Sequence, residues 1–394
     1  MINNDRNIYE LNEDTNINRI NICKNYDIKN NRFIRRNQFV VIFIYLSKIL
    51  SFVILFYLIF IYTFIKKTVS RYDKLIIDIY NKNSNINNFE NNRKNILERY
   101  KKEQNDFCEN PNKYINKQYE KEIFLVDVKL NDLNYKMYMP KPFNWVQEGI
   151  TKTGSYEKSL SNYMIEALKF YSMNYNITHS EDIVILDIGG NVGWYPSLLG
   201  RYGYTILSFE AFEKNYYISK KNYCYLNKNS NVIIITKGLG TENKTCNYFS
   251  QKNNEGNGMV ICEKKDNLFN KILSEQFVKV GEVEITTLNS FIPYISDKKI
   301  VLMKLDVEGH ELKVLEGGKD LISKYHVPFI VLEFTLIYFK EQGSDPKELI
   351  KLFVDNGYKI SLDGFLNKNY ITINELLNKT ELQFDCYFIH ESLA

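Results

Sequence analysis

The chain has 394 residues, 44% of them hydrophobic and 25% charged. This is enough apolar material for a sizeable core and enough length for two or three structural regions. Its 51 basic and 47 acidic side chains leave a formal charge of only +4, which excludes the one-sided basic excess that nucleic-acid binding asks for.

Residues 1–38 are polar and Asn-rich and read as a disordered tail, because they carry too little apolar surface to offset the entropy of ordering. Residues 39–65 are almost continuously apolar, and from Ile49 to Ile65 only Ser51 and Thr63 interrupt the run. A bilayer core asks for about 20 such residues in a helix, so this segment reads as a transmembrane helix. Arg32, Arg35 and Arg36 precede it, Lys66, Lys67 and Arg71 follow it, and Lys48 lies near enough to one end to snorkel. Basic residues balance on the two sides, so the positive-inside rule does not orient the span. A single span ahead of a large C-terminal domain suits a type II anchor with the domain in the secretory lumen. Sequons at Asn176, Asn243 and Asn378 agree with that, but in so Asn-rich a chain they add little. Residues 66–145 read as a polar stem, helical around Asp73–Tyr80. The six cysteines show neither paired metal-ligand spacing nor a disulfide framework and do not report the compartment.

Residues 146–394 alternate apolar strand-like runs with amphipathic segments. Helical spacing covers Tyr156–Tyr171, and strands are expected at Ile183–Gly190, Thr205–Ala211, Val232–Thr236, Ile300–Asp306, Pro328–Phe334, Tyr358–Leu362 and Cys386–His390. Helices are expected over Asn191–Tyr202, Glu213–Leu226, Glu311–Tyr325 and Pro346–Asn356, the last opened by Asp345 and stopped by Gly357. The pattern predicts an α/β fold with seven mostly parallel strands and helices on both faces. Ligands of such sheets bind beyond the carboxyl ends of the strands.

Three motifs fall at those ends. The first is Asp187-Ile-Gly189-Gly190-Asn191-Val-Gly193, whose glycines let the backbone approach a ligand before a helix N-terminus. Its glycine spacing fits a dinucleotide fingerprint poorly and suits S-adenosylmethionine better. Glu210, at the end of the second strand, is placed to accept both ribose hydroxyls of a nucleoside; alone it would read as a solvated strand-end acid. The third motif is Lys304-Leu-Asp306-Val-Glu308-Gly309-His310-Glu311. Asp306 and His310 are candidates for positioning or deprotonating an acceptor hydroxyl, and Glu308 for contacting the acceptor. The competing reading makes Glu308 and Glu311 helix caps. No metal ligand set is expected.

With these motifs in order, the segment from about Gly149 to Phe365 resembles the FkbM family of methyltransferases. The resemblance is carried by LDIGGNVGWY, SFEAFEKN, KGLG (Lys237–Gly240), GNGMV (Gly256–Val260), TTLNSFI (Thr286–Ile292), LMKLDVEGHELKVLEGG (Leu302–Gly318) and VLEF (Val331–Phe334). It implies a Rossmann-like domain that binds S-adenosylmethionine and commonly methylates a hydroxyl oxygen, often of a sugar or polyketide. On the same ground Gly238 and Leu239 join Asp187, Gly189, Gly190, Asn191, Gly193 and Glu210 as cofactor-binding residues. Three positions depart from the commoner pattern: Gly190 replaces Ala, a change expected to be harmless, Ala211-Phe212 replaces a Pro-containing turn, and His310 replaces a small residue. The leading expectation is a membrane-anchored O-methyltransferase acting on a hydroxylated small-molecule or glycan acceptor, with no nucleic-acid partner. The alternatives are a tethered cofactor-binding module without turnover and a nicotinamide-dependent oxidoreductase.

Overall fold

In the computed structural model residues 60, 61, 66 and 96–393 are described, apart from 142–144, 227–229, 252, 253, 263–276, 296, 343, 380 and 382. The expected tail, the transmembrane helix at 39–65 (Phe60 and Ile61 apart) and the helical turn at Asp73–Tyr80 therefore lie outside the described residues. Among those described, no helix is long and apolar enough to cross a membrane.

One compact unit runs from Asn88 to Ala394, so the boundary expected at 145 moves far toward the N-terminus. Helix α1 (96–109) is followed by short helices α2 (Pro111–Tyr114) and α3 (Lys117–Lys121) and by the hairpin β1 (Ile123–Leu130) and β2 (Leu133–Pro140). Tyr100, Gln104 and Phe107 recur at helical spacing on α1 and are all buried. This stripe is short, and its middle residue is polar, so it reads as stem until its partner is known.

Helices α4 (Trp145–Thr153) and α5 (Lys158–Asn174) lead into the alternating region. It comprises β3 (Ile183–Ile188), α6 (Trp194–Leu199), β4 (Thr205–Phe209), α7 (Glu213–Tyr223), β5 (Val232–Ile235) and β6 (Gly238–Leu239). After β7 (Lys244–Gln251), β8 (Asn254–Ile261) and β9 (Phe277–Thr286) the alternation resumes with β10 (Lys299–Leu305), α8 (Glu311–Gly317) and α9 (Lys319–Ser323). The chain finishes with β11 (Phe329–Thr335), α10 (Leu336–Gln342), α11 (Pro346–Asp355), β12 (Tyr358–Ser361), β13 (Tyr370–Ile371), α12 (Ile373–Leu377) and β14 (Gln383–His390).

The main sheet has the order β13-β12-β14-β11-β10-β3-β4-β5. Five strands, β5 to β11 in that order, run parallel, and β14 is antiparallel to both β11 and β12. The seven expected strands are all present, and two-residue β13 extends the edge to eight. Strand β3 shows why such strands carry continuous apolar runs: Ile183 and Ile185 pack into one core layer, while Val184, Leu186 and Ile188 pack into the other. Chain order reverses between β3 and β10, which opens a crevice at their carboxyl ends. A second sheet, β6-β9-β7-β8, stands beside that crevice; its inward residues Cys246, Tyr248 and Ser250 follow a strict period of two.

The helix expected over Glu311–Tyr325 breaks at Gly318 into α8 and α9. A Cβ at Gly317 would lie 1.9 Å from the Gly240 carbonyl oxygen, so the helix passes too close to the end of β6 for any side chain there. Two disulfides, Cys108–Cys224 and Cys246–Cys262, join cysteines that linear spacing left unpaired; they correct the expectation of no disulfide framework. The first ties α1 to the end of α7.

Edge strand β5 exposes a ladder of backbone groups that a folded protein has to cover. Gln104 covers it: its side-chain amide donates to the Val232 carbonyl (2.9 Å) and accepts from the Ile234 N–H (2.9 Å). Gln104→Ala leaves both groups buried and unpaired, and is expected to destabilise the fold by about 1–3 kcal/mol in chemical denaturation. An unchanged midpoint would show that α1 contributes nothing to this edge.

Candidate active site

The motif after β3 builds the floor of a cavity at the switch point. Gly189 (φ 84°) and Gly193 (φ 83°) adopt left-handed backbone, as does Asn191 (φ 47°). The N–H groups of Gly189 and Gly190 both donate to the Phe209 carbonyl, at 3.0 and 2.9 Å, which locks the turn to the end of β4. A Cβ at Gly189 would stand 1.8 Å from the Asp306 carbonyl oxygen. Gly189→Ala thus combines backbone strain of about 1–2 kcal/mol with a backbone clash, and is expected to cost about 3 kcal/mol or more and abolish ligand binding. Denaturation within about 1 kcal/mol of wild type would refute this tight approach.

Gly190 matches its surroundings in this chain, where an alanine would not fit without a shift. A Cβ there would lie 2.1 Å from Ser208 Oγ and 3.0 Å from Asp187 Oδ2, and those two atoms are themselves hydrogen-bonded at 2.7 Å. The glycine and the Ser208–Asp187 bond belong together.

Glu210 is 8% exposed. Its Oε2 accepts the Asn191 N–H and its Oε1 the Phe212 N–H, each at 2.7 Å. Burial nevertheless pushes its pKa up to about 7 against these two hydrogen bonds. Asp187 is fully enclosed, and burial raises its pKa as well. Its Oδ1, like Asn191 Oδ1, is buried without a hydrogen-bond partner.

Across the crevice, Lys304 Nζ sits 2.7 Å from Asp306 Oδ2. Burial works to strip the Lys304 proton, but the Asp306, Asp187 and Glu157 carboxylates outweigh it and hold the ammonium charged. Asp306, Glu308 and Glu333 bring carboxylate oxygens within 4.8 Å of one another, the hard-oxygen chemistry that divalent cations accept. Burial, then neighbouring Asp306, drives the pKa values of Glu308 and Glu333 well up. Glu311 resolves one of the two sequence readings: its Oε1 accepts the N–H groups of Val307 (3.2 Å) and Gly309 (3.1 Å), so it caps the start of its own helix. Glu308 does not share that role; its Oε2 is enclosed without a hydrogen bond. His310 is buried at the N-cap of α8.

Gly189, Asn191, Glu210, Gly238, Leu239, Asp306, Glu308 and His310 all line one cavity. Asp187, Gly190 and Gly193 stand behind this lining and shape it. Sequence reasoning missed Tyr248, which reaches the cavity from β7, and Glu333, whose signal was a lone acid inside the apolar VLEF strand. It also missed Glu157, which accepts a hydrogen bond from the Tyr195 hydroxyl. Burial, followed by the Glu210 and Glu308 carboxylates, pushes the Tyr248 phenol well above its usual range.

The cavity fits S-adenosylmethionine. The unpartnered Asp187 and Asn191 oxygens are acceptors of the kind an ammonium or ribose hydroxyl satisfies, Glu210 is a carboxylate of the kind a ribose diol would meet, and the glycine turn allows close backbone approach.

Over 151 residues the chain is 28% identical to "Methyltransferase 1" of Beauveria bassiana (strain ARSEF 2860), covering 36% of this chain and 60% of that protein. It therefore spans about three-fifths of that relative. Among solved structures, monomeric WbdD aligns with a TM-score of 0.33 at 11% identity, over 64% of this chain and 46% of WbdD. Magnesium protoporphyrin IX methyltransferase (ChlM) from Synechocystis PCC 6803, with bound SAM, aligns at 0.32 and 12%, over 64% and 86%. Residues 187–360 match the family model of the methyltransferase FkbM domain, and the cofactor that this match implies is S-adenosylmethionine.

Proposed function

We propose that this methyltransferase is membrane-anchored through residues 39–65, faces the secretory lumen, and methylates a hydroxyl oxygen of a sugar or other small or glycan acceptor. The observation that carries the acceptor reading is the carboxylate set Asp306, Glu308 and Glu333 on the β10–β11 side of the crevice, opposite the ribose acid Glu210. Carboxylates at that density suit hydrogen bonds from a polyhydroxylated molecule. Two disulfides in one domain support an oxidising compartment, and Asn176, Asn243 and Asn378 are all exposed.

S-adenosylmethionine supplies an electrophilic methyl group on a positively charged sulfur. The protein's share is to hold the reactants in line and exclude water, which is where most of the acceleration of such a transfer resides. Glu210 and the Gly189–Gly193 turn would hold the cofactor. Asp306, hydrogen-bonded to the Lys304 ammonium at 2.7 Å, accepts the proton of the acceptor hydroxyl. His310, buried beside it, limits the room available to the acceptor.

Full-length protein in detergent, incubated with radiolabelled S-adenosylmethionine and a panel of monosaccharide and oligosaccharide acceptors, tests the reaction. Alkali-stable methyl incorporation into a hydroxylated acceptor supports the reading, while incorporation only into amines or carboxylates would sink it. A glycosidase-sensitive mass increase in the secreted pathway tests the orientation, and its absence places the domain on the other side.

A further inference from the structure

The second sheet is more than an attachment to the fold. Tyr248 and Val260 are direct cross-strand partners on β7 and β8, and both line the cofactor cavity together with Gly258. Cys246 and Cys262 extend that same face one step further from the turn, two residues from Tyr248 and from Val260 respectively, and are joined. The bridge, Tyr248, Val260, Ala211 and Phe212 form a single apolar cluster with Val283 and Ile285. Within it the Phe212 and Tyr248 rings stack nearly parallel, 4.7 Å between centroids and 10° between planes. Phe212 directly follows the turn that leaves Glu210, and its own N–H donates to that carboxylate. Gly258 completes the fit, since a Cβ there would lie 1.8 Å from the Tyr248 hydroxyl.

We propose that the β7–β8 hairpin is a roof over the bound cofactor, with Tyr248 a cofactor-contacting residue and the Cys246–Cys262 bridge the latch that keeps the roof seated on Phe212. This rests on the cavity being the S-adenosylmethionine site. Opening the latch takes two electrons and two protons and converts the disulfide into two thiols. In the test below a water-soluble phosphine supplies the electrons and leaves as its oxide, its oxygen drawn from water. With the latch open the roof visits unseated positions, and apparent affinity falls in proportion to the fraction of time it is seated.

The experiment is calorimetric titration of S-adenosylmethionine into the full-length chain, oxidised and phosphine-reduced, beside the Cys246→Ser/Cys262→Ser, Cys108→Ser/Cys224→Ser and Phe212→Leu variants, the last removing the stacked ring while keeping the N–H that Glu210 accepts. A roof seated about one-tenth of the time without its latch gives about tenfold weaker binding. That loss is expected on reduction, in the Cys246/Cys262 variant and in Phe212→Leu, with the Cys108/Cys224 variant close to oxidised wild type. Thermal melts of each sample identify any that has unfolded, and Phe212→Leu carries the test if the cysteine variant does not fold. Equal affinity in oxidised, reduced and Phe212→Leu protein overturns the roof while leaving the cofactor site intact. Absence of binding by folded, oxidised wild type overturns both the roof and the cofactor assignment beneath it.

Discussion

Glu210→Gln is expected to weaken S-adenosylmethionine binding about 100-fold, because two hydrogen bonds to a carboxylate become bonds to a neutral amide, a loss of about 2.7 kcal/mol. The amide also turns a donor toward the N–H groups of Asn191 or Phe212, which now donate to the two carboxylate oxygens. The wild-type protein should show a distinctive pH response. Burial pushes the Glu210 pKa up to about 7 from 4.5, so the empty protein favours the protonated acid. The stability this contributes is fully present below pH 4.5 and is lost as pH rises through 7. Binding through the carboxylate runs the other way: affinity climbs up to tenfold per pH unit below 7 and levels off above it. Melting temperature with and without cofactor, measured from pH 5.5 to 8.5, should therefore diverge as pH rises. Glu210→Gln should remove both slopes, and wild-type affinity in that variant would end the ribose assignment.

Asp306→Asn carries the second large effect. In the role proposed for Asp306, its loss lowers turnover by about 10²–10⁴-fold, while cofactor affinity, carried by the opposite wall in that reading, changes little. The expected result is a collapsed kcat with S-adenosylmethionine binding within about threefold of wild type, since a cofactor contact would cost more than ~0.7 kcal/mol. Lys304 keeps Asp187 and Glu157 as neighbouring charges, so the buried ammonium is not left alone and the variant folds. Retained turnover would transfer the proton-accepting role to His310 or Glu308.

The parts of this architecture that sequence displays are those with a local signal. Strand β3 is apolar on both faces because it is covered on both, and its Asp187 stands out for being charged where nothing else is. Asp345 caps α11 through the Lys347 N–H at 2.8 Å, as its place before Pro346 foretells. What sequence hides is whatever depends on a partner distant in the chain. Gln104 on α1 is an ordinary polar residue until β5, more than a hundred positions later, leaves its edge open. Cys108 and Cys224 have no informative spacing, since their approach is set by how α1 crosses the end of α7. Tyr248 is one aromatic in an alternating strand, and only the fold of the second sheet brings it over Glu210. The closeness of Gly190 to the Ser208 hydroxyl on the neighbouring strand is hidden for the same reason.

The crevice has one further consequence. Its two walls come from separate stretches of chain, 187–239 on one side and 304–335 on the other, joined by the second sheet rather than by a shared loop. The hydrogen bonds to Glu210 come from Asn191 and Phe212, so under the proposed acceptor assignment substitutions on the 304–335 wall let the molecule that receives the methyl group change over generations while the means of delivering it stays fixed. Such a division lets one scaffold serve many acceptors, with each new specificity explored at little risk to the chemistry it inherits.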